Sequence, residues 1–249
     1  MIPPEQIKAV LFDFGGTLGY DMENYAQGFA HMTTAAGYPI DAMGYHEASE
    51  AAKQELPEAP RDLESWRLWR NTYHRGVLSQ IGVPDERLDE MMKMMTARFR
   101  YYSRPANYPE THFVLRCLNW ASYTVGVISN IAPALPDALE ELDLQKHLKF
   151  AIASDTFGAQ KPDISIFQEG VRLAGEPAEA CMYVGDSVEA DVEGSMQLGM
   201  QPVLIDRDDL HKERDGVLRV TNLVEILDWL GVDSSSHPRL HDHAPSRPS

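Results

Sequence analysis

The sequence predicts an α/β fold, with helices flanking a parallel sheet and one all-helical insert. Three observations predict it. Short, apolar, β-branched runs fall near 7–13, 124–129 and 181–185, the pattern of strands buried on both faces. Helical patterns lie near 110–121, 134–148, 163–174 and 188–198, and strands alternating with helices give parallel pairing with right-handed crossovers. From about 20 to 104 no strand pattern intervenes.

The first strand ends on Val10-Leu11-Phe12, and the chain turns at once through Asp13 and Gly15-Gly16-Thr17. The insert follows. Met22, Tyr25, Phe29 and Met32 recur at helical spacing. So do Trp66, Trp69, Tyr73 and Val77, with Asp62 as N-cap, and then Leu88, Met91, Met95, Phe99 and Tyr102. Stripes of this kind form a core rather than a binding face. Gly37 and Gly82 are placed to end helices, and Pro57, Pro60, Pro84, Pro105 and Pro109 punctuate the turns. Fainter strands are expected at Phe150–Ala153 and Gln201–Ile205. The expected organisation is a core of 1–19 plus 105–232, a helical insert at 20–104 and a disordered tail at 233–249, rich in Ser, Pro and His. The tail histidines His237, His241 and His243 are read as incidental.

Composition narrows the function. The chain has 249 residues, enough for one large α/β domain or a domain with a smaller insert. Its formal net charge of −16 argues against nucleic acid or an anionic membrane as partner. No apolar stretch approaches the ~20 residues of a membrane span, and Met1–Lys8 lacks a secretory leader pattern. Cys117 and Cys181 lie in apolar segments and read as buried thiols, so a cytoplasmic protein is expected. Residues 61–104 hold eight Arg and one Lys against six acids, a local +3 that is either a solvated helix face or a field for a small anion.

Four segments carry candidate chemistry. Asp13 ends a strand, where open α/β sheets bind ligands. Gly15 and Gly16 leave the backbone open to close approach, and Thr17 adds a hydroxyl. Asp186 ends a second strand, and Asp191 sits five residues on in the first turns of a helix. Such hard oxygen donors suit magnesium, although an acidic helix start also answers the macrodipole. Ser129-Asn130 ends a third strand, where a hydroxyl and backbone N–H groups can hold an anionic oxygen. Lys161, in Lys161-Pro162-Asp163, can balance the acidic charge and a substrate oxyanion. Pro162 is placed to begin the helix carrying Ile166 and Phe167. Each segment alone also fits an ordinary turn, cap or surface residue.

As an ordered set, these motifs resemble the haloacid dehalogenase superfamily of hydrolases. The resemblance spans about 1–232, and the wording around Ser129 and Lys161 looks most like the phosphatase-like branch with an all-helical cap. It implies a Rossmann-like core with a cap that closes over the site. Asp13 would be the nucleophile. Mg2+ would be held by Asp13, the Gly15 carbonyl and Asp186, supported by Asp191. Thr17, Ser129 and Lys161 would grip a phosphoryl group, with Gly16 and Asn130 lining it. The expected substrate is a small anionic, phosphorylated metabolite, and the cap arginines Arg61, Arg67, Arg70, Arg75 and Arg104 are candidates to meet it.

One position departs from the family. Its phosphatases carry a second Asp two residues after the nucleophile, as general acid–base; here that residue is Gly15. Such a group contributes ~10²–10⁴-fold. Three readings follow. The leaving group needs little protonation, or the cap supplies the acid through His31, His46 or His74. Alternatively the chain cleaves a carbon–halogen or carbon–phosphorus bond, the latter calling for a cap lysine such as Lys53 or Lys93. Or it is a catalytically weak binding or regulatory protein. The intact Gly185-Asp186 motif favours phosphoryl chemistry.

Overall fold

A computed structural model describes residues 1–21, 25–57, 60, 63–101, 105–130, 135–211 and 216–233. Met22, Arg61, Asp62, Tyr102, Arg104 and the 234–249 tail lie outside the described residues, as do the side chains of Tyr25, Trp66 and Phe99.

In chain order the strands are β1 (Ala9–Phe12), β2 (Gly19–Asp21), β3 (Pro105–Asn107), β4 (Thr124–Ser129), β5 (Phe150–Ala153), β6 (Cys181–Gly185), β7 (Gln201–Ile205) and β8 (Leu218–Val220). The helices are α1 (Tyr25–Ala35), α2 (Ala42–Gln54), α3 (Leu63–Gln80), α4 (Asp85–Tyr101), α5 (Thr111–Trp120), α6 (Leu135–Glu141), α7 (Ser154–Phe157), α8 (Ile164–Ala174), α9 (Gly194–Gln197) and α10 (Val224–Leu230). Six strands form one parallel sheet in the order β5-β4-β1-β6-β7-β8. Strand β1 is central and pairs β4 on one side and β6 on the other. The tips of β1, β4 and β6, each expected to carry a functional residue, therefore share one crevice at the carboxyl edge.

Strand alternation explains the layers. Val10, Phe12, Val125, Val127, Met182 and Val184 face one side and pack with Leu115 and Leu118 of α5 and Ile226 and Leu227 of α10. Leu11, Ile128, Ile152 and Tyr183 face the other, against Ile166 and Phe167 of α8. Helices α1–α4 hold their own apolar cluster, with Phe29, Met32, Tyr73, Val77, Leu88, Met91 and Met95 among its members. The stripe residues whose side chains are described lie in this core or against it, as the spacing predicts. Gly37 and Gly82 follow α1 and α3 at positive φ.

Several expectations need correction. The insert is not strictly strandless at its edge: β2 pairs antiparallel with β3, closing the two chain crossings into a ribbon. Three residues per strand are too few to show a period. The helix expected over 134–148 stops at Glu141, because Asp143 takes φ 54° and the chain resumes as a 3₁₀ turn at Gln145–His147. The helix at 188–198 is a π-helical turn, Val188–Glu193, followed by the short α9. Pro162 does not open α8; Asp163 caps it by accepting from the Ser165 N–H at 2.8 Å. Strand β8 and helix α10 are additions to the expected elements. Cys117 and Cys181 are free and buried. No helix among the described residues is long and apolar enough to cross a membrane.

His74 lies in α3 with its ring 5.0 Å from that of Tyr73. Burial, then the nearby Arg70 charge, lowers its pKa to about 4. The unfolded chain therefore binds more protons than the native one between about pH 4 and 6.5, and stability falls as pH drops through that window. From pH 7 to 5 the loss from this group is about 2 kcal/mol. Urea unfolding at both pH values should show a smaller pH difference for His74→Gln than for wild type; equal differences would mean that His74 titrates normally in the fold.

Candidate active site

Asp13 follows β1, and its backbone N–H donates to the Val184 carbonyl at 2.8 Å, docking the turn onto β6. Thr17, Leu18 and Gly19 N–H groups all return to the Phe14 carbonyl, so the turn is compact. Gly16 takes φ 74°, and a Cβ there would overlap the Asp186 carboxylate. Both facts call for glycine. A Cβ at Gly185 would likewise overlap Asp191.

The expected convergence is present. Asp13, Asp186 and Asp191 each offer a carboxylate oxygen, and these lie within 4.8 Å of one another. Asp13 and Asp191 are buried, whereas Asp186 is open. The π turn gives Asp191 its place, and the Ser187 N–H donates to its Oδ2 at 2.9 Å. Lys161 Nζ donates to Asp13 Oδ1 and to Asp191 Oδ1, both at 2.6 Å, and sits 3.0 Å from the Tyr183 hydroxyl. That hydroxyl donates to the Ile128 carbonyl at 2.8 Å, so its lone pairs are left for the ammonium. Tyr183 reads from sequence as an ordinary strand residue, with nothing local to signal this contact.

Burial works against the Lys161 ammonium, but Asp13, Tyr183 and Asp191 outweigh it and hold its pKa well above the usual value. Burial raises the pKa of Asp13; Lys161 opposes the rise and Asp191 adds to it. Asp186 is pushed up to about 6 by desolvation of its carboxyl, then by Asp13 and Asp191. Three carboxylates thus face one ammonium, an excess of negative charge that a divalent cation would offset. Thr17 Oγ1 is buried and has no hydrogen-bond partner among the described residues. An orphan hydroxyl beside such a cluster fits a site built to receive an external polar group.

Ser129, at the tip of β4, is buried. The Asn130 side chain grips the Lys161 backbone, donating to its carbonyl at 3.0 Å and accepting from its N–H at 2.9 Å. It holds the lysine loop in place. Arg67 reaches from α3 to Asp155 at the start of α7, with Nε 2.8 Å from Oδ1 and Nη2 2.8 Å from the backbone carbonyl. Arg75 pairs with Asp89 of α4. Arg70 is half-buried on α3. His31 and His46 are exposed, and Lys53 pairs with Glu50 on its own helix.

A parallel sheet that gathers Asp13, Asp186, Asp191 and Lys161 at its carboxyl edge has the layout of an α/β enzyme with its site at the strand ends. The chain belongs to the haloacid dehalogenase-like hydrolases, whose family model matches residues 7–199. It is 30% identical over 213 residues to a glyceraldehyde 3-phosphate phosphatase of Methanothermobacter thermautotrophicus, covering 85% of this chain and 91% of the relative. The fold is similar to that of magnesium-bound YfnB from Bacillus subtilis (TM-score 0.70, 16% identity, 91% and 99% of the two chains). It is also similar to a 2-haloacid dehalogenase from Pseudomonas syringae (TM-score 0.63, 22% identity, 90% and 98%).

Proposed function

We propose that the chain is a magnesium-dependent hydrolase of small phosphorylated metabolites that works through an aspartyl-phosphate intermediate. The observation that carries this reading is the gathering of Asp13, Asp186 and Asp191, with Lys161 bonded to the first and the last of them. The relationship to a phosphatase supports it. The charge of −16 favours a small anion over nucleic acid as partner, and two buried free thiols agree with a cytoplasmic setting.

Magnesium would be held by Asp13, the Gly15 carbonyl and Asp186, with Asp191 in support. When bound, it would neutralise charge on the transferring group and on the attacking carboxylate. An Asp13 oxygen attacks phosphorus, forming the Oδ–P bond as the bond to the leaving oxygen breaks. That oxygen leaves as an anion and takes its proton from solvent. Thr17, Ser129 and Lys161 hold the phosphoryl oxygens, and Gly16 leaves room for them. A water then attacks phosphorus, the Oδ–P bond breaks, and Asp13 is regenerated with release of phosphate. Residues 20–104 form the cap, which excludes water and selects substrate, over a core of 1–19 and 105–232.

With Gly15 at the general-acid position, the preferred substrates are esters or anhydrides with good leaving groups, such as aryl and acyl phosphates. The test is a panel of phosphates, phosphonates and 2-haloacids assayed with and without magnesium. Phosphate release from the activated esters only with magnesium is expected. Metal-free halide release would replace the reading with a dehalogenase, and silence across the panel would leave a binding protein.

A further inference from the structure

We infer that Arg207 is a positioning residue for the nucleophile turn, an inference that rests on the reading of Asp13 as nucleophile. Arg207 follows β7 and Asp206. The Asp206 carboxylate accepts from the Leu210 and His211 N–H groups at 3.0 and 2.8 Å and from Arg219 Nε at 2.8 Å. Those bonds fix the segment from which Arg207 projects. Its guanidinium then uses all three nitrogens: Nε donates to the Gly16 carbonyl at 3.2 Å, Nη2 to the Thr17 carbonyl at 2.8 Å, and Nη1 to Glu110 Oε1 at 2.8 Å. Its Cζ stacks 3.3 Å from the centre of the Tyr108 ring.

These contacts do two things. They gather two adjacent turn carbonyls onto one rigid, planar donor fork, which an ammonium cannot reproduce. They also tie that turn to Tyr108 and Glu110, just past the ribbon through which the chain returns from the helical insert. Gly16 is the residue against which Asp186 packs, and Thr17 carries the orphan hydroxyl. Holding both carbonyls sets where Gly15, Gly16 and Thr17 stand relative to the carboxylates. Arg207 touches no reacting atom; it acts through the turn.

The test compares Arg207→Met, Arg207→Lys and Glu110→Gln in the full chain. Hydrogen–deuterium exchange is read on peptides covering 14–21, and hydrolysis of 4-nitrophenyl phosphate with magnesium is read as separate kcat and KM. Arg207→Met should speed exchange of the Leu18 and Gly19 amides by about tenfold while distant strands stay protected. Its kcat should fall by about 10- to 100-fold with KM within about twofold. Arg207→Lys keeps the charge but loses the fork, so it should show the same local loosening in a protein that still folds. Glu110→Gln removes the ion pair alone and should keep kcat. Unchanged exchange over 14–21 in folded Arg207→Lys, or a kcat loss in Glu110→Gln equal to that of Arg207→Met, would overturn the inference. If the wild type is inert toward the ester, the functional reading fails, and the exchange measurement still decides whether Arg207 pins the turn.

Discussion

Replacing Asp13 with asparagine should abolish phosphate release while leaving the fold intact. Asparagine has nearly the same shape, but its amide cannot form an acyl phosphate, so the covalent route is closed. Loss on the order of 10⁴-fold or more in kcat is expected, as for other nucleophile deletions. Two opposing effects govern stability. The substitution deprives Lys161 of one of its carboxylate partners, but Asp191 and the Tyr183 hydroxyl remain at 2.6 and 3.0 Å. It also removes a carboxylate that burial and Asp191 already disfavour in its charged form. The thermal midpoint should therefore move by only a few degrees, about that expected of a 1 kcal/mol change. Initial rates on an aryl phosphate, paired with thermal melts, make the comparison. Substantial turnover by a folded Asp13→Asn protein would remove this residue from the centre of the chemistry.

The fold was legible wherever burial wrote a strong local pattern. Strands β1, β4 and β6 are continuous apolar runs, and β5 and β7 fall on Phe150–Ala153 and Gln201–Ile205 as expected. The three strand-tip positions, Asp13, Ser129 and Asp186, could be singled out because each polar group follows an apolar strand at a turn. What escaped had no local signal. Asp143 breaks a helix at φ 54° without glycine or proline nearby. Strands β2 and β3 are stabilised by pairing across the whole insert. Tyr183 looks apolar along its strand, yet its hydroxyl reaches Lys161. Arg207 meets Glu110 and Gly16, 97 and 191 residues away in sequence. Helix α10 is different: Leu223, Ile226, Leu227 and Leu230 are buried at helical spacing, so its signal was present.

Gly15→Asp should raise activity on alkyl phosphates by about 10²–10⁴-fold, the contribution of a placed general acid. An alkoxide is a poor leaving group and gains most from a proton delivered as the bond to phosphorus breaks. A phenolate needs little help, so aryl phosphates should gain far less. The ratio of alkyl to aryl kcat/KM is thus the informative quantity, because any loss of folded protein cancels from it. The backbone conformation does not forbid the change: the left-handed position of the turn is Gly16, and the backbone carbonyl of residue 15 persists whatever side chain stands there. The new carboxyl also adds a negative charge beside Asp13, Asp186 and Asp191, which should raise its own pKa and favour the protonated form that donates. An acid that must be protonated gives alkyl-phosphate turnover that falls as pH rises, a limb the wild type should lack. An unchanged ratio in well-folded Gly15→Asp protein would mean that the proton already comes from elsewhere, and the missing acid would then have to be sought in the cap.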